Sequence, residues 1–98
     1  MRPAAVTPVR VAVLASGGGT NLQALMDALG AGAPARVTRV VSDRPGAGAL
    51  ARARLGGVDT TVLPDPADAA ALAAALRDVD LVVLAGYLKL VPADVVAR

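Results

Sequence analysis

The chain has 98 residues, 10 Lys and Arg against 8 Asp and Glu, no histidine, no cysteine, and one aromatic residue, Tyr87. That length admits one small domain with a modest core, since much of the 55% hydrophobic fraction is alanine. The missing cysteines exclude disulfides, thiolate metal sites and thiol catalysis, and a lone aromatic without any run of like charge offers nucleic acid no platform.

Taken in order, residues 1–8 (MRPAAVTP) carry two prolines and read as a flexible lead-in to a domain over residues 9–98. Val9 to Ala15 is a nearly continuous apolar run rich in β-branched residues, the mark of a strand covered on both faces. Three glycines, Gly17 to Gly19, then lead into a helix opening at Thr20. Leu22, Leu25, Met26 and Leu29 form one apolar stripe at i, i+3, i+4 and i+7. Thr20 and Gln23 have capping-box spacing, and Gly30 is placed as a stop. A second strand is predicted near Arg36–Ser42 and a second helix near Ala47–Leu55, closed by Gly56 and Gly57.

Val58–Leu63 reads as a third strand. Asp65 followed by Pro66 predicts a helix N-cap with proline in the first helical position, and Asp68 suits the helix dipole. Alanine-rich sequence to Arg77 makes the third helix, and Leu81–Ala85 a fourth strand of fully buried type. This βαβαβαβ order predicts an α/β fold, a Rossmann-like open parallel sheet with helices on both faces. Pro92, Ala93 and Asp94 look like a further helix start that is cut short, and the fourth strand is left near an open edge. The expectation is therefore half of a larger α/β domain, able to self-associate through that edge. No segment reaches the ~20 apolar residues of a membrane span, and no signal-peptide pattern opens the chain, so a cytoplasmic location is expected.

The first strand–helix turn is the strongest functional signal. In an open parallel sheet ligands sit at the carboxyl ends of the strands, near the reversal of strand order. Glycines there let backbone amides approach an anion, and the helix terminus adds roughly half a positive charge. Gly19, Thr20 and Asn21 are the expected phosphate-binding residues. The nucleotide P-loop pattern requires Lys after its final glycine, where this chain has Thr20, so ATP or GTP by that route is not expected. The dinucleotide pattern GxGxxG is half met by Gly17 and Gly19, but Leu22 stands where a small residue belongs. Asp43, just after the second strand, lies where a ribose-binding acid would be. A stand-alone nucleotide- or phosphate-binding module fits this loop, and a tight turn holding no ligand is the competing structural account.

With its neighbours the loop says more. VAVLASGGGTNLQAL resembles the opening of the phosphoribosylglycinamide formyltransferase family, the folate-dependent transformylases of purine synthesis, with its Ser-Gly-x-Gly-[Ser/Thr]-Asn-Leu-Gln turn. The likeness runs through VVSDRPGAGALARARLGGV, where the family typically has Asn at the position of Asp43, and resumes at LVVLAGYLKLVP. It implies that Gly19, Thr20 and Asn21 hold the phosphate of glycinamide ribonucleotide. It implies also that Leu88, Lys89, Leu90 and Val91 line the site of 10-formyltetrahydrofolate, largely through backbone groups, with no metal involved. Ordinary core packing competes for the side chains of Tyr87 and Leu88, and a solvated surface position for Lys89. Arg52 and Arg54 are expected on a wet helix face, and Asp65, Asp68 and Asp94 as helix-start residues rather than catalytic acids.

The family's catalytic Asn-Ile-His-Pro-Ser segment and its catalytic aspartate have no counterpart in this chain, and PDPADAAAL lacks a basic residue that some members aim at the folate. The expectation is a binding half without catalytic residues, truncated after the fourth strand.

Overall fold

A computed structural model describes residues 8–30, 32–65 and 67–87. In chain order these form β1 (Val9–Leu14), α1 (Thr20–Ala28), β2 (Ala35–Ser42), α2 (Gly48–Leu55), β3 (Asp59–Val62), α3 (Ala69–Leu76) and β4 (Leu81–Leu84). The four strands are parallel, in the spatial order β3-β2-β1-β4. The chain therefore winds outward from β1 to β3 and returns to the other side of β1. The reversal falls between β1 and β4, where open parallel sheets place their ligands.

Both faces of the sheet are covered, as the order of elements predicts. On one face Leu22 of α1 and Ala49, Leu50 and Ala53 of α2 pack with Val11, Val13, Ala15, Val37 and Val40. On the other, Leu72 and Ala75 of α3 pack with Leu14, Val41 and Leu63. Leu14, Leu22, Leu50 and Leu72 are fully buried, each contributing about 1.5–3 kcal/mol of apolar burial. The second face is the thinner layer, and Arg39 reinforces it: its Nη1 donates to the Ala75 carbonyl at 2.7 Å and to Asp78 Oδ1 at 3.1 Å.

One irregularity sets the phase of β2. Val11 pairs with Val37 and Ala12 with Arg39, so Thr38 is an extra residue in β2. Such a bulge interrupts the alternation of side chains. Val37 and Val40 consequently both face α1 and α2, while Val41 faces α3.

The helix starts differ from expectation in two places. The predicted capping box on α1 does not form: the N-cap is Gly19, with φ of 83° and no side-chain cap. A threonine N-cap needs extended backbone, and here the chain turns left-handed one residue before Thr20. Gln23 instead donates to Asp27 Oδ1 at 3.0 Å. On α3 the cap is Asp68, not Asp65; its Oδ1 accepts from the Ala71 amide at 3.0 Å. Asp65 accepts from the Ala67 amide at 3.0 Å and forms the turn before the helix. Asp68→Ala is accordingly expected to lower stability by about 1 kcal/mol, and Asp65→Ala by less, when both are compared in urea unfolding.

The strands end earlier than read, at Leu14, Val62 and Leu84. β4 also corrects the expectation of a fully buried strand, for Leu81, Val82 and Leu84 are 51%, 38% and 55% exposed. Among the described residues it pairs with β1 alone, so one edge stays open. The predicted helix start at Pro92–Asp94 and the proline of the Asp65-Pro66 pair lie outside the described residues.

Candidate functional site: the glycine loop

The loop leaves the sheet in the middle of its carboxyl edge. The Ala15 amide donates to the Val41 carbonyl at 3.0 Å, and the Ser16 amide to the Gly86 carbonyl at 3.3 Å. Ala85 donates in turn to the Leu14 carbonyl at 2.9 Å, so the exits of β2 and β4 flank that of β1.

Beyond Ser16 the three glycines have different reasons to be glycine. Gly19 is left-handed, and a Cβ there would lie 2.6 Å from the Ala49 Cα, so it permits both the turn and the approach of α2. Gly48, the first residue of α2, lies against the Gly18 backbone, where its own Cβ would come within 2.9 Å of the Gly18 oxygen. Gly17 and Gly18 have open space where a Cβ would be. Their bareness keeps the mouth of the loop clear.

The backbone polarity of the loop is sorted by α2. Its Ala49 amide donates to the Gly17 carbonyl at 3.1 Å, and Arg52 Nε donates to the Gly18 carbonyl at 2.8 Å. The amides of Gly18, Gly19, Thr20 and Asn21 have no acceptor among the described residues. Thr20 and Asn21 are exposed, and the first turn of α1 carries no acid. Four amides without an acceptor among the described residues, two of them in the first turn of α1, thus lie in one exposed loop whose Gly17 and Gly18 carbonyls are engaged by α2. Such a surface suits an anion.

Arg52 is not on a wet helix face as expected. It is half-buried and crosses from α2 to the loop, with its Nη1 at 3.5 Å from Gln23 Oε1 of α1. Spacing held the clue: Arg52 follows Ala49 by three residues and so shares the side of α2 that meets Gly19. Arg54 is exposed, as expected.

Asp43 does not present itself to solvent as a ribose-binding acid should. Its side chain is only 5% exposed; Oδ2 is 4.0 Å from Arg44 Nε, and Oδ1 has no partner among the described residues. Tyr87 packs against the Leu14–Leu72 cluster, with its hydroxyl likewise buried and unpartnered. Burial, and secondarily the charge of Asp43, raise its pKa above the ordinary phenol value. The fold therefore loses stability as pH climbs through and beyond the unfolded phenol's range near 10, because the folded state resists ionisation. As the sole aromatic, Tyr87 is expected to titrate alone at 295 nm, above free tyrosine, with Asp43→Asn lowering the midpoint. The expected folate-site residues Leu88, Lys89, Leu90 and Val91 lie outside the described residues.

Comparison with known proteins bears on this geometry. The formyl transferase profile matches residues 9–98. The chain belongs to the formyl transferase family. Its sheet and helices superpose on glycinamide ribonucleotide transformylase 1 of Symbiobacterium toebii with a TM-score of 0.83 and 44% identity, covering 92% of this chain and 47% of that one. Against phosphoribosylglycinamide formyltransferase of Anaplasma phagocytophilum the TM-score is 0.86 at 36% identity, covering 93% of this chain and 45% of that one. The phosphoribosylglycinamide formyltransferase of Haemophilus influenzae is 37% identical over 83% of this chain and 42% of its own length. The chain thus spans about half the length of the formyl transferases it resembles. In this formyl transferase half, Leu22 does not obstruct helix–strand packing; it is fully buried between α1 and the sheet. No helix among the described residues is long and apolar enough to cross a membrane.

Proposed function

We propose that this chain supplies the substrate-binding half of a phosphoribosylglycinamide formyltransferase acting in cytoplasmic purine synthesis. Gly19, Thr20 and Asn21 take the phosphate of glycinamide ribonucleotide on their amides, and the Thr20 and Asn21 side chains add donors. Leu88, Lys89, Leu90 and Val91 receive the pterin of 10-formyltetrahydrofolate through backbone groups, and Lys89 draws its carboxylates. In the reaction the glycinamide amine bonds to the formyl carbon, the bond from that carbon to folate nitrogen breaks, and the proton lost by the amine ends on that nitrogen. This chain orients the phosphate end. With no histidine in its sequence it has no side chain that changes charge near neutral pH in the manner of an imidazole.

The observation that carries this reading is the sorted backbone: loop carbonyls drawn to α2, and loop amides exposed and without an acceptor among the described residues. Calorimetric titration of the folded chain with glycinamide ribonucleotide and with NAD tests it. Binding of the ribonucleotide alone is expected. Binding of NAD alone would favour an independent nucleotide-binding module, and binding of neither would overturn the proposal. Formyl transfer by the 98-residue chain is expected to stay at the level of a protein-free blank, since each oxyanion donor is worth about 2.7–4 kcal/mol of barrier. Through the β4 edge, unpaired among the described residues, the chain self-associates, which a concentration-dependent elution volume in gel filtration would register.

A further inference from the structure

The Gly18 peptide poses a problem that the loop alone leaves unsolved. Its carbonyl oxygen carries partial negative charge a few ångströms from the surface where an anion is to sit. A carbonyl free to rotate into that surface would repel the ligand and remove a donor, because flipping a peptide exchanges the directions of C=O and the following N–H. Glycine on both sides makes such a flip easy. Gly18 has no Cβ to resist it, and neither does Gly19, the residue on the other side of that peptide.

Arg52 stands where the flip is prevented. Its Nε–H bond to the Gly18 oxygen is short at 2.8 Å and charge-assisted, which makes it stronger than a neutral bond. The guanidinium is itself held: Nη1 reaches Gln23 Oε1 at 3.5 Å, and Gln23 is braced by Asp27 at 3.0 Å. The Ala49 amide fixes the preceding carbonyl, that of Gly17, from the same helix. A lysine could supply the charge but not the planar fork that reaches loop and Gln23 together.

We infer that Arg52 is a positioning residue for the phosphate loop, locking the Gly18 carbonyl toward α2 so that the Gly19 amide, beside that of Thr20, faces a phosphate monoester. The inference deepens the proposed phosphate-binding reading and rests on it for the identity of the ligand.

The test uses the 98-residue chain and three variants, Arg52→Lys, Arg52→Met and Gln23→Ala. Amide NMR spectra without ligand come first. Arg52→Met and Arg52→Lys are expected to shift or broaden the Gly18, Gly19 and Thr20 resonances while those of β1 and β2 hold still. Titration with glycinamide ribonucleotide follows. Affinity is expected to fall roughly 10- to 100-fold in Arg52→Met, from the loss of one charge-assisted contact, and by a smaller factor in Arg52→Lys and Gln23→Ala. Unchanged loop resonances in Arg52→Met, or wild-type affinity in that variant, would overturn the inference. Wild-type affinity in Arg52→Lys would overturn the positioning role, since charge alone would then suffice. If the parent chain binds no ribonucleotide yet its loop resonances respond to Arg52→Met, the substrate reading fails and the locking role stands.

Discussion

Gly19→Ala is expected to cost the fold roughly 2–5 kcal/mol and to abolish phosphate binding. About 1–2 kcal/mol comes from forcing an L-residue into the left-handed conformation, and about 1–3 kcal/mol from overpacking. The overpacking is specific, because the new methyl would meet the Ala49 Cα at 2.6 Å and its Cβ at 2.9 Å. Backbone cannot swing aside as a flexible side chain can, so α2 must retreat, and its hold on the loop carbonyls goes with it. A domain of this size has a stability near the lower end of about 5–15 kcal/mol, so the variant should be substantially unfolded at modest urea concentrations. Gly18→Ala is the control. Its Cβ would meet nothing within 4 Å, so the urea midpoint should hardly move while a methyl at the mouth weakens binding. Equal destabilisation of both variants would show that the three glycines act as one flexible hinge.

Leu72→Ala is the second large effect, expected at about 2–5 kcal/mol. Leu72 is the fully buried side chain of α3, and with Ala75 it makes up that helix's share of the core on its face of the sheet. The opposite face spreads the same duty over two helices, with Leu22 from α1 and Ala49, Leu50 and Ala53 from α2. Loss of Leu72 should therefore loosen α3 before the rest, leaving Arg39 and its bond to the Ala75 carbonyl as the main tether. Hydrogen exchange checks this: the α3 amides should lose protection by a larger factor than those of α1 or β1. Uniform loss across the sheet would mean instead that the two faces unfold as one unit.

The alternation of apolar runs and stripes made all seven elements legible, because burial against a sheet dictates both periods. Residue-level details failed where tertiary contact overrode local chemistry. Thr20 has the composition of a cap, but the approach of α2 demands a left-handed residue at the cap position, and Gly19 fills it. Asp65 and Asp68 are both plausible caps, and the choice falls on the one whose carboxylate reaches an amide three residues on. β4 has the sequence of an interior strand, and its exposure reflects which strands lie beside it rather than its own residues. At the candidate site, the turn at Gly19, Thr20 and Asn21 was legible because glycine before a helix has a backbone signature. Spacing places Arg52 on the side of α2 that holds Ala49, but its partner is a carbonyl 34 residues away, and a carbonyl leaves no mark in a sequence.

Thr38 has a consequence for everything downstream of it in β2. With this one additional residue the strand behaves like a text whose reading frame has been moved: Arg39 and Val41 point to one side and Val40 to the other. Continuing the alternation sends Ser42 toward α1 and α2, and Asp43 toward α3 and Tyr87. Were Thr38 taken into the regular pleat instead of bulging out, the Arg39 hook would swing off α3 and the Asp43 carboxylate would invert into the opposite layer. An unremarkable threonine in a strand interior thereby keeps the start and the end of β2 correct at once.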